Sequence, residues 1–531
     1  MRGFSGGAKA RQRAKPPCLE PDAIIAIAMA KPAPATSRIV TSRITAEVAA
    51  AYEPVIGLEV HTQLKTATKI FCGCATRFGD PPNSNTCPVC LGLPGALPVL
   101  NKRAVELALR ASLALHLKVQ ESSRFARKNY FYPDLPKGYQ ISMYELPLAT
   151  GGWLEIERAG ARKRIGITRL HLEEDAAKGM HEGFPESASK TYIDYNRGGM
   201  PLAEIVSEPD LRSPAEAYAY LTTLKQVLEY AQVSDCNMEE GSLRCDANIS
   251  VRPRGAEKFG TKTEVKNLNS FRYLQRALEY EIDRHIGVLE AGGRISQETR
   301  LWNVAEGRTE PMRSKEFAHD YRYFPDPDLL PVRIDAAWLA ETAREMPELP
   351  GARRERFARE HKLSDYDAVA LTATRALGDF FESTVAAGAP SKAAAGWIET
   401  ELLRRLNDAG RGIESSPVTP AALAALVQQV ESGAINAATG KKVFATMFES
   451  GKSAAEIIAG EGLSQIQDSG EIERLCREVV EKNPDNVAKY RAGNEGVFKF
   501  FVGQVMRASR GQANPQIVND ILKRLLGPAA A

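Results

Sequence analysis

Two periods of hydrophobic and polar positions alternate along the first two-thirds of this chain, and one of them stops. Period-two runs at Val55-Ile56-Gly57-Leu58-Glu59-Val60-His61, Trp153 to Glu157, Ile165 to Leu172 and Ala247 to Val251 predict strands. Helical spacing returns at Ala217, Tyr220, Leu221, Leu224 and Val227 behind a Ser213-Pro214 start, and at Leu274, Leu278 and Ile282 behind Ser270. Strands and helices in this irregular order predict an α+β domain rather than a doubly wound one. Beyond the Pro-rich stretch Tyr323-Phe324-Pro325-Asp326-Pro327, strand patterning disappears. Residues from about Ala336 to Leu406 are rich in Ala, Glu and Arg and predict a helical bundle. A Gly/Ser/Pro linker, Asp408 to Pro417, precedes short helices at Pro420–Ser432, Lys441–Ser450, Ser453–Gly460, Ser469–Lys482 and Pro515–Leu526. The expected divisions are therefore 1–51, 52–333, 334–408 and 409–531.

Residues 1–51 carry no such pattern. Arg2, Lys9, Arg11, Arg13 and Lys15 precede the first acid, Glu20, among Gly, Ala and Pro. Two explanations stand: an organellar transit peptide, or a start assigned too early with Met29 the true one. The expectation is an unfolded or mis-assigned extension on a cytoplasmic protein, organellar import being the alternative. The 69 basic and 66 acidic side chains, net +3, argue against a non-specific nucleic-acid coat and leave room for a local basic patch. No apolar run approaches the roughly 20 residues of a membrane span.

Chemistry concentrates on the first strand. Side chains two apart share a strand face, so Glu59 and His61 stand side by side while Leu58 and Val60 face the core. A carboxylate beside an imidazole binds metal or handles protons; the alternative is a polar sheet face with a hydrogen-bonded histidine. His171-Leu172-Glu173-Glu174-Asp175 ends a second strand at Leu172, and three consecutive acids repel one another unless cations sit among them; a solvated turn is the alternative. Glu204, embedded in Leu202-Ala203-Glu204-Ile205-Val206, needs a buried partner, either a site or a salt bridge to Arg197. Arg244 and Asp246 share a strand face, or belong to a surface hairpin.

Of eight cysteines, four fall in one window, Cys72-Gly-Cys74 and Cys87-Pro-Val-Cys90, the spacing of a tetrahedral thiolate site that favours structural zinc. The stretch from Arg127 to Gln140, with Lys128, Tyr130 and Lys137, interleaves basic and aromatic residues as a phosphate and stacked base require; a packed loop with snorkelling lysines is the alternative. No P-loop sequence and no amidase-type nucleophile setting occur.

The stretches VIGLEVHTQLKT, FCGC…CPVCLGLPGALPVLN, RKNYFYPDLPKGYQIS, GITRLHLEEDAAK, PLAEIVSEPDLRS, MEEGSLRCDANIS and KTEVKNLNSF resemble the GatB/GatE family, the B-type subunits of the aspartyl/glutamyl-tRNA(Asn/Gln) amidotransferases. The tail from Phe501 to Pro515 is similar to that family's YqeY-like terminal domain. This resemblance covers the chain from about residue 52 to its end. It implies a cradle-like mixed-sheet catalytic domain, a helical domain and a small all-helical tail that contacts tRNA. It implies an enzyme, a ligase of translation, working as a heterotrimer. Its partners there would be an A-type amidase subunit, which releases ammonia from glutamine, and a C-type subunit that clasps the other two together. The chain itself would bind misacylated Glu-tRNA(Gln) or Asp-tRNA(Asn), phosphorylate the side-chain carboxylate with ATP, and receive ammonia. By motif position, His61, Glu174 and Glu204 would bind Mg²⁺, with Mn²⁺ as an alternative because imidazole is an unusual magnesium ligand. Glu59 lies adjacent, and Lys128, Tyr130, Lys137, Arg244 and Asp246 would line the nucleotide and aminoacyl pocket.

Overall fold

The strand expected at Val55–His61 runs from Tyr52 to Gln63 (β1) and is the centre of the protein's main sheet. The computed structural model describes residues 27–28, 44–158, 160–181, 183–187, 189–312, 321–463, 469–509 and 512–528. They divide into two compact units, up to Pro347 and from Glu348 onward.

In the first unit, β1 lies between β6 (Pro201–Ser207) and β7 (Leu243–Pro253), both antiparallel to it. Outward from β6 come β5 (Ala161–Glu174), β3 (Tyr139–Leu146) and β2 (Ser122–Asn129), while β4 (Ala149–Arg158) pairs with the early part of β5. Outward from β7 come β8 (Thr263–Lys266), β9 (Thr299–Asn303) and β10 (Arg308–Pro311), with β8 and β9 parallel. One face carries the buried Leu58, Val60, Leu172, Ala203, Ile205, Leu243 and Ala247. Helices α1 (Lys102–Ala114), α2 (Pro214–Tyr230) and α3 (Phe271–Glu290) pack against this sheet. The expected caps hold: Ser213 accepts from the Glu216 N–H and Ser270 from the Tyr273 N–H, each satisfying a helix-end donor.

Three expectations shift. The first unit extends past 333, because α4 (Ala336–Arg344) docks on α1, with Lys102 over the Trp338 ring and Arg110 paired to Glu345 at 3.1 Å. In the second unit one apolar core runs from Phe357 to Ile458, so the expected division at 408 falls inside it. A separate core begins at Ile472 and closes through Phe501, Val518 and Leu526; its helices Pro484–Arg491 and Phe498–Ala508 escaped the pattern reading. Most of the extension 1–51 lies outside the described residues, but Ile27–Ala28 pairs with Lys190–Thr191 and Ala46–Ala50 is a helix capped by Thr45. Among the described residues, no helix is long and apolar enough to cross a membrane.

Candidate functional site

Strand register builds the site. Glu204 on β6 stands directly opposite His61 on β1 and, on its other side, directly opposite His171 on β5; Arg244 on β7 stands opposite His61. Four side chains far apart in sequence thus form one transverse row, at the spacing where cross-strand pairs interact. The neighbouring row pairs Asp246 with Glu59. On the far side of the central row, Leu202 faces both Gln63 and Glu173. The face opposite the apolar core is therefore polar. It floors a cleft of roughly 490 Å³ that includes Glu59, His61, Lys128, Tyr130, Glu204 and Asp246.

Distances within the row are short. His61 Nε2 lies 3.3 Å from Glu204 Oε2 and 3.8 Å from both Glu173 Oε1 and Glu59 Oε1. Burial works against a charge on His61, yet the hydrogen bond and charge of Glu204, with Glu173 and Glu59 behind it, carry its pKa up to about 9. Burial likewise opposes ionisation of Glu204, and His171, His61 and Arg169 outweigh it, holding that carboxyl well below the usual range. Glu59 goes the other way: burial and then the Glu204 charge raise it. The partner of Glu204 is Arg169, at 3.4 Å, and not Arg197, which contacts Asp175 and the Ala176 and Ala177 carbonyls.

The remaining expected residues divide. Arg244 Nη2 meets Asp175 Oδ1 at 2.8 Å, and Asp246 meets Lys266 Nζ at 2.5 Å, both at the cleft wall. Lys128 Nζ lies over the Tyr321 and Tyr130 rings at 4.8 and 5.5 Å, an aromatic platform beside the acids. Lys137 and Glu174, however, are not brought to His61. β5 continues through Glu174, so its odd positions His171 and Glu173 face the cleft while Glu174 points to the opposite face. There Lys137 Nζ holds its Oε2 at 2.6 Å and the Ile141 N–H donates to Oε1 at 2.9 Å. The acid that joins His61 and Glu204 is Glu173. Sequence reasoning singled out the string from His171 to Asp175 but took Glu174 from it by motif position, and with the strand ended at Leu172 it had no face to assign to Glu173. The same i, i+2 logic that joined Glu59 to His61 would have joined His171 to Glu173.

Two donor sets fit metal ions. Cys72, Cys74, Cys87 and Cys90 bring their sulfurs within 4.8 Å of one another, with Cys87 and Cys90 3.9 Å apart. Tetrahedral thiolate coordination with bonds of about 2.3 Å needs sulfurs roughly 3.8 Å apart. The hydrogen bond from Cys72, with Lys69 nearby, holds the Cys90 thiol below its usual range, while the same hydrogen bond raises Cys72 and burial raises Cys74. In the cleft, carboxylates and imidazoles of Glu59, His61, His171, Glu173 and Glu204 form overlapping sets of the same closeness.

A family model described as the GatB/GatE catalytic domain matches residues 54–340, and one described as a GatB domain matches 379–526. The B-type subunit of the aspartyl/glutamyl-tRNA(Asn/Gln) amidotransferase of Geobacter sulfurreducens is 56% identical over 475 residues, covering 90% of this chain and 99% of the relative. The proteins of the same name from Carboxydothermus hydrogenoformans and Persephonella marina are 55% and 54% identical, over 89% and 90% of this chain and 98% and 99% of their own lengths. Matched by the catalytic-domain model over the very strands that build the polar sheet face, and by these relatives over nearly all of the rest, the chain belongs to the GatB/GatE family.

Proposed function

We propose that this chain is the subunit of a glutamine- and ATP-dependent amidotransferase that activates the aminoacyl group of misacylated Glu-tRNA(Gln) and/or Asp-tRNA(Asn). The names of its relatives support that substrate class, and the row Arg244–His61–Glu204–His171 is the observation that carries the chemistry. A side-chain carboxylate is anionic at neutral pH and needs no base to attack phosphorus; it needs placement and charge neutralisation. Its oxygen forms a bond to the γ-phosphorus of ATP as the bond to ADP breaks, and ADP leaves with the electron pair. Ammonia, released from glutamine on the A-type amidase subunit of a heterotrimer that the C-type subunit completes, then attacks the acyl carbon. Phosphate departs, a proton is lost, and the amide remains.

Within this scheme Lys128, Arg244 and Lys266 are the cations at the cleft wall suited to phosphate oxygens, and the rings of Tyr130 and Tyr321 suit a stacked base. Mg²⁺, or Mn²⁺ given the imidazoles, bound by His61, Glu173 and Glu204 would supply phosphate charge neutralisation. Asp246 positions Lys266, and Lys137 acts from behind the sheet through Glu174 rather than on substrate. The cysteine loop holds zinc as a structural ion. The terminal helices from about residue 469 onward bind tRNA.

Glu204→Gln tests the reading. It keeps the shape of the side chain and removes the charge that His61, His171 and Arg169 surround. Phosphorylation of Glu-tRNA(Gln) should fall by about 10²-fold or more, with tRNA affinity within a few-fold of the parent. Undiminished turnover would instead favour a non-catalytic tRNA-binding scaffold.

A further inference from the structure

Lys69 is fully buried, and a lysine in that condition calls for a counter-charge. Its Nζ donates to the Tyr195 carbonyl at 3.0 Å, and among the described residues it pairs with no carboxylate. The acid that shares its cavity is Glu174, and Lys137 already grips that side chain, with Nζ 2.6 Å from Oε2. One carbonyl does not offset an ammonium withdrawn from water. Nor does the lysine snorkel, since no part of its side chain reaches solvent.

The other polar groups in that cavity include sulfur. Cys72 and Cys90 stand in its wall with Lys69. The Lys69 N–H donates to the Cys74 carbonyl at 3.0 Å, so the lysine is fixed to the first cysteine pair through its own backbone. A Cβ built on Gly199 would lie 3.5 Å from Lys69 Cδ and 3.7 Å from Cys90 Cβ, which brings the stem alongside the second pair as well. Against burial, the hydrogen bond from Cys72 and then the Lys69 charge hold the Cys90 thiol down. Charge supplies the reason for the arrangement: four thiolates around Zn²⁺ leave two negative charges uncancelled.

We propose that Lys69 is the counter-charge of the cysteine centre, its buried ammonium offsetting the negative charge that four thiolates leave on zinc and so setting how firmly the metal is held. The proposal rests on the zinc reading of the loop. It gives the two lysines of the cavity separate tasks: Lys137 orients Glu174, and Lys69 serves the metal. Groups that act on a metal only through its ligands are known to govern its retention, because they fix the charge and the orientation of those ligands.

The test compares zinc release from the full-length protein and its variants. Zinc content is measured first by elemental analysis, and the rate of loss to excess ethylenediaminetetraacetate follows. Lys69→Met keeps the apolar stem and removes the charge, and should release zinc about 10–100-fold faster than the parent. Lys69→Arg restores the charge and should come within a few-fold of the parent. With Co²⁺ in place of zinc, the thiolate-to-metal charge-transfer band of Lys69→Met should move to longer wavelength, because sulfur without a nearby cation gives up its electrons more readily. Zinc release by Lys69→Met at the parent's rate, or a band that stays where it is, overturns the proposal. Should Lys69→Met fail to fold, Lys69→Arg decides: zinc held as in the parent supports the counter-charge, and rapid loss from a folded Arg variant overturns it. A parent that holds neither zinc nor Co²⁺ would remove the zinc centre together with this role of Lys69; a parent and Lys69→Met that hold zinc equally well would remove the role alone.

Discussion

Gly92 presses on Lys137 so closely that a Cβ on the glycine would stand 2.5 Å from Lys137 Cγ and 3.1 Å from its Cα. Gly92 lies just beyond Cys90, in the left-handed region at φ +68. Lys137 in turn grips Glu174 at the end of β5, the strand that carries His171 and Glu173 to the cleft. The cysteine loop thus buttresses the strand that presents His171 and Glu173 to the cleft. Gly92→Ala adds backbone strain and a clash at one point. It should destabilise the first unit by about 1–3 kcal/mol. Thermal unfolding of the full chain measures this, and an unchanged midpoint would show that the contact bears no load.

Removing a thiolate attacks the same buttress from the other end. Cys87→Ser leaves three ligands and a polar loop with little apolar core of its own, since the residues around it are half-buried or exposed. The variant should lose its stoichiometric zinc by elemental analysis, and protease should cut between residues 72 and 95 where the parent resists. Full activity together with zinc loss would make the loop dispensable.

The fold was legible wherever one local pattern settled the matter. Ser213-Pro214 and Ser270 announced their helices, since capping depends on neighbours in sequence. Glu59 and His61 were legible as a pair for the same reason. Their partners were harder, because register between strands is a tertiary property that no single strand encodes. Glu204 is opposite His61 only because β6 pairs at that offset. Motif position pointed to Glu174, and only the continuation of β5 past Leu172 shows that Glu173 is the acid on the cleft face; element ends are where sequence patterns fade. The division placed at 408 failed to mark a core boundary for a related reason: a short Gly/Ser/Pro connection looks the same inside a domain as between two.

Acid should expose a buried ion cluster elsewhere in the first unit. Glu281 on α3 is fully buried, with Arg284 at 2.7 Å, Arg300 at 3.2 Å and His285 at 3.3 Å, and it accepts from Thr309. Burial opposes its charge, but these partners hold its pKa down to about 2 from 4.5. A carboxylate depressed on folding stabilises fully above its unfolded pKa and loses that contribution as pH falls through the folded value. The relevant window is therefore pH 4.5 down to 2. Glu281→Gln should cost on the order of 3 kcal/mol at pH 7, with the gap to the parent narrowing toward pH 2. Urea unfolding of both proteins across that range measures it, and a gap independent of pH would rule out the charge as its source.

Where the tail proposed to bind tRNA can be cut follows from the cores. Truncation at Gly410 would strip Leu423, Leu426, Val427, Val443 and Phe444 from the core they share with Phe357, Phe381 and Leu402, exposing apolar surface that nothing replaces. A chain ending at Leu463 keeps that core whole and loses only the one built from Ile472 to Leu526. The shorter protein should stay folded, bind ATP within about twofold of the parent, and bind tRNA roughly tenfold or more weakly, a loss of about 1.4 kcal/mol or more. Its tRNA affinity should also vary less steeply with salt, because lysines and arginines such as Lys489, Lys499 and Arg507 leave with the tail. Unaltered tRNA affinity and salt slope in a protein that folds would transfer tRNA recognition to the catalytic unit, and with it the reason for the tail.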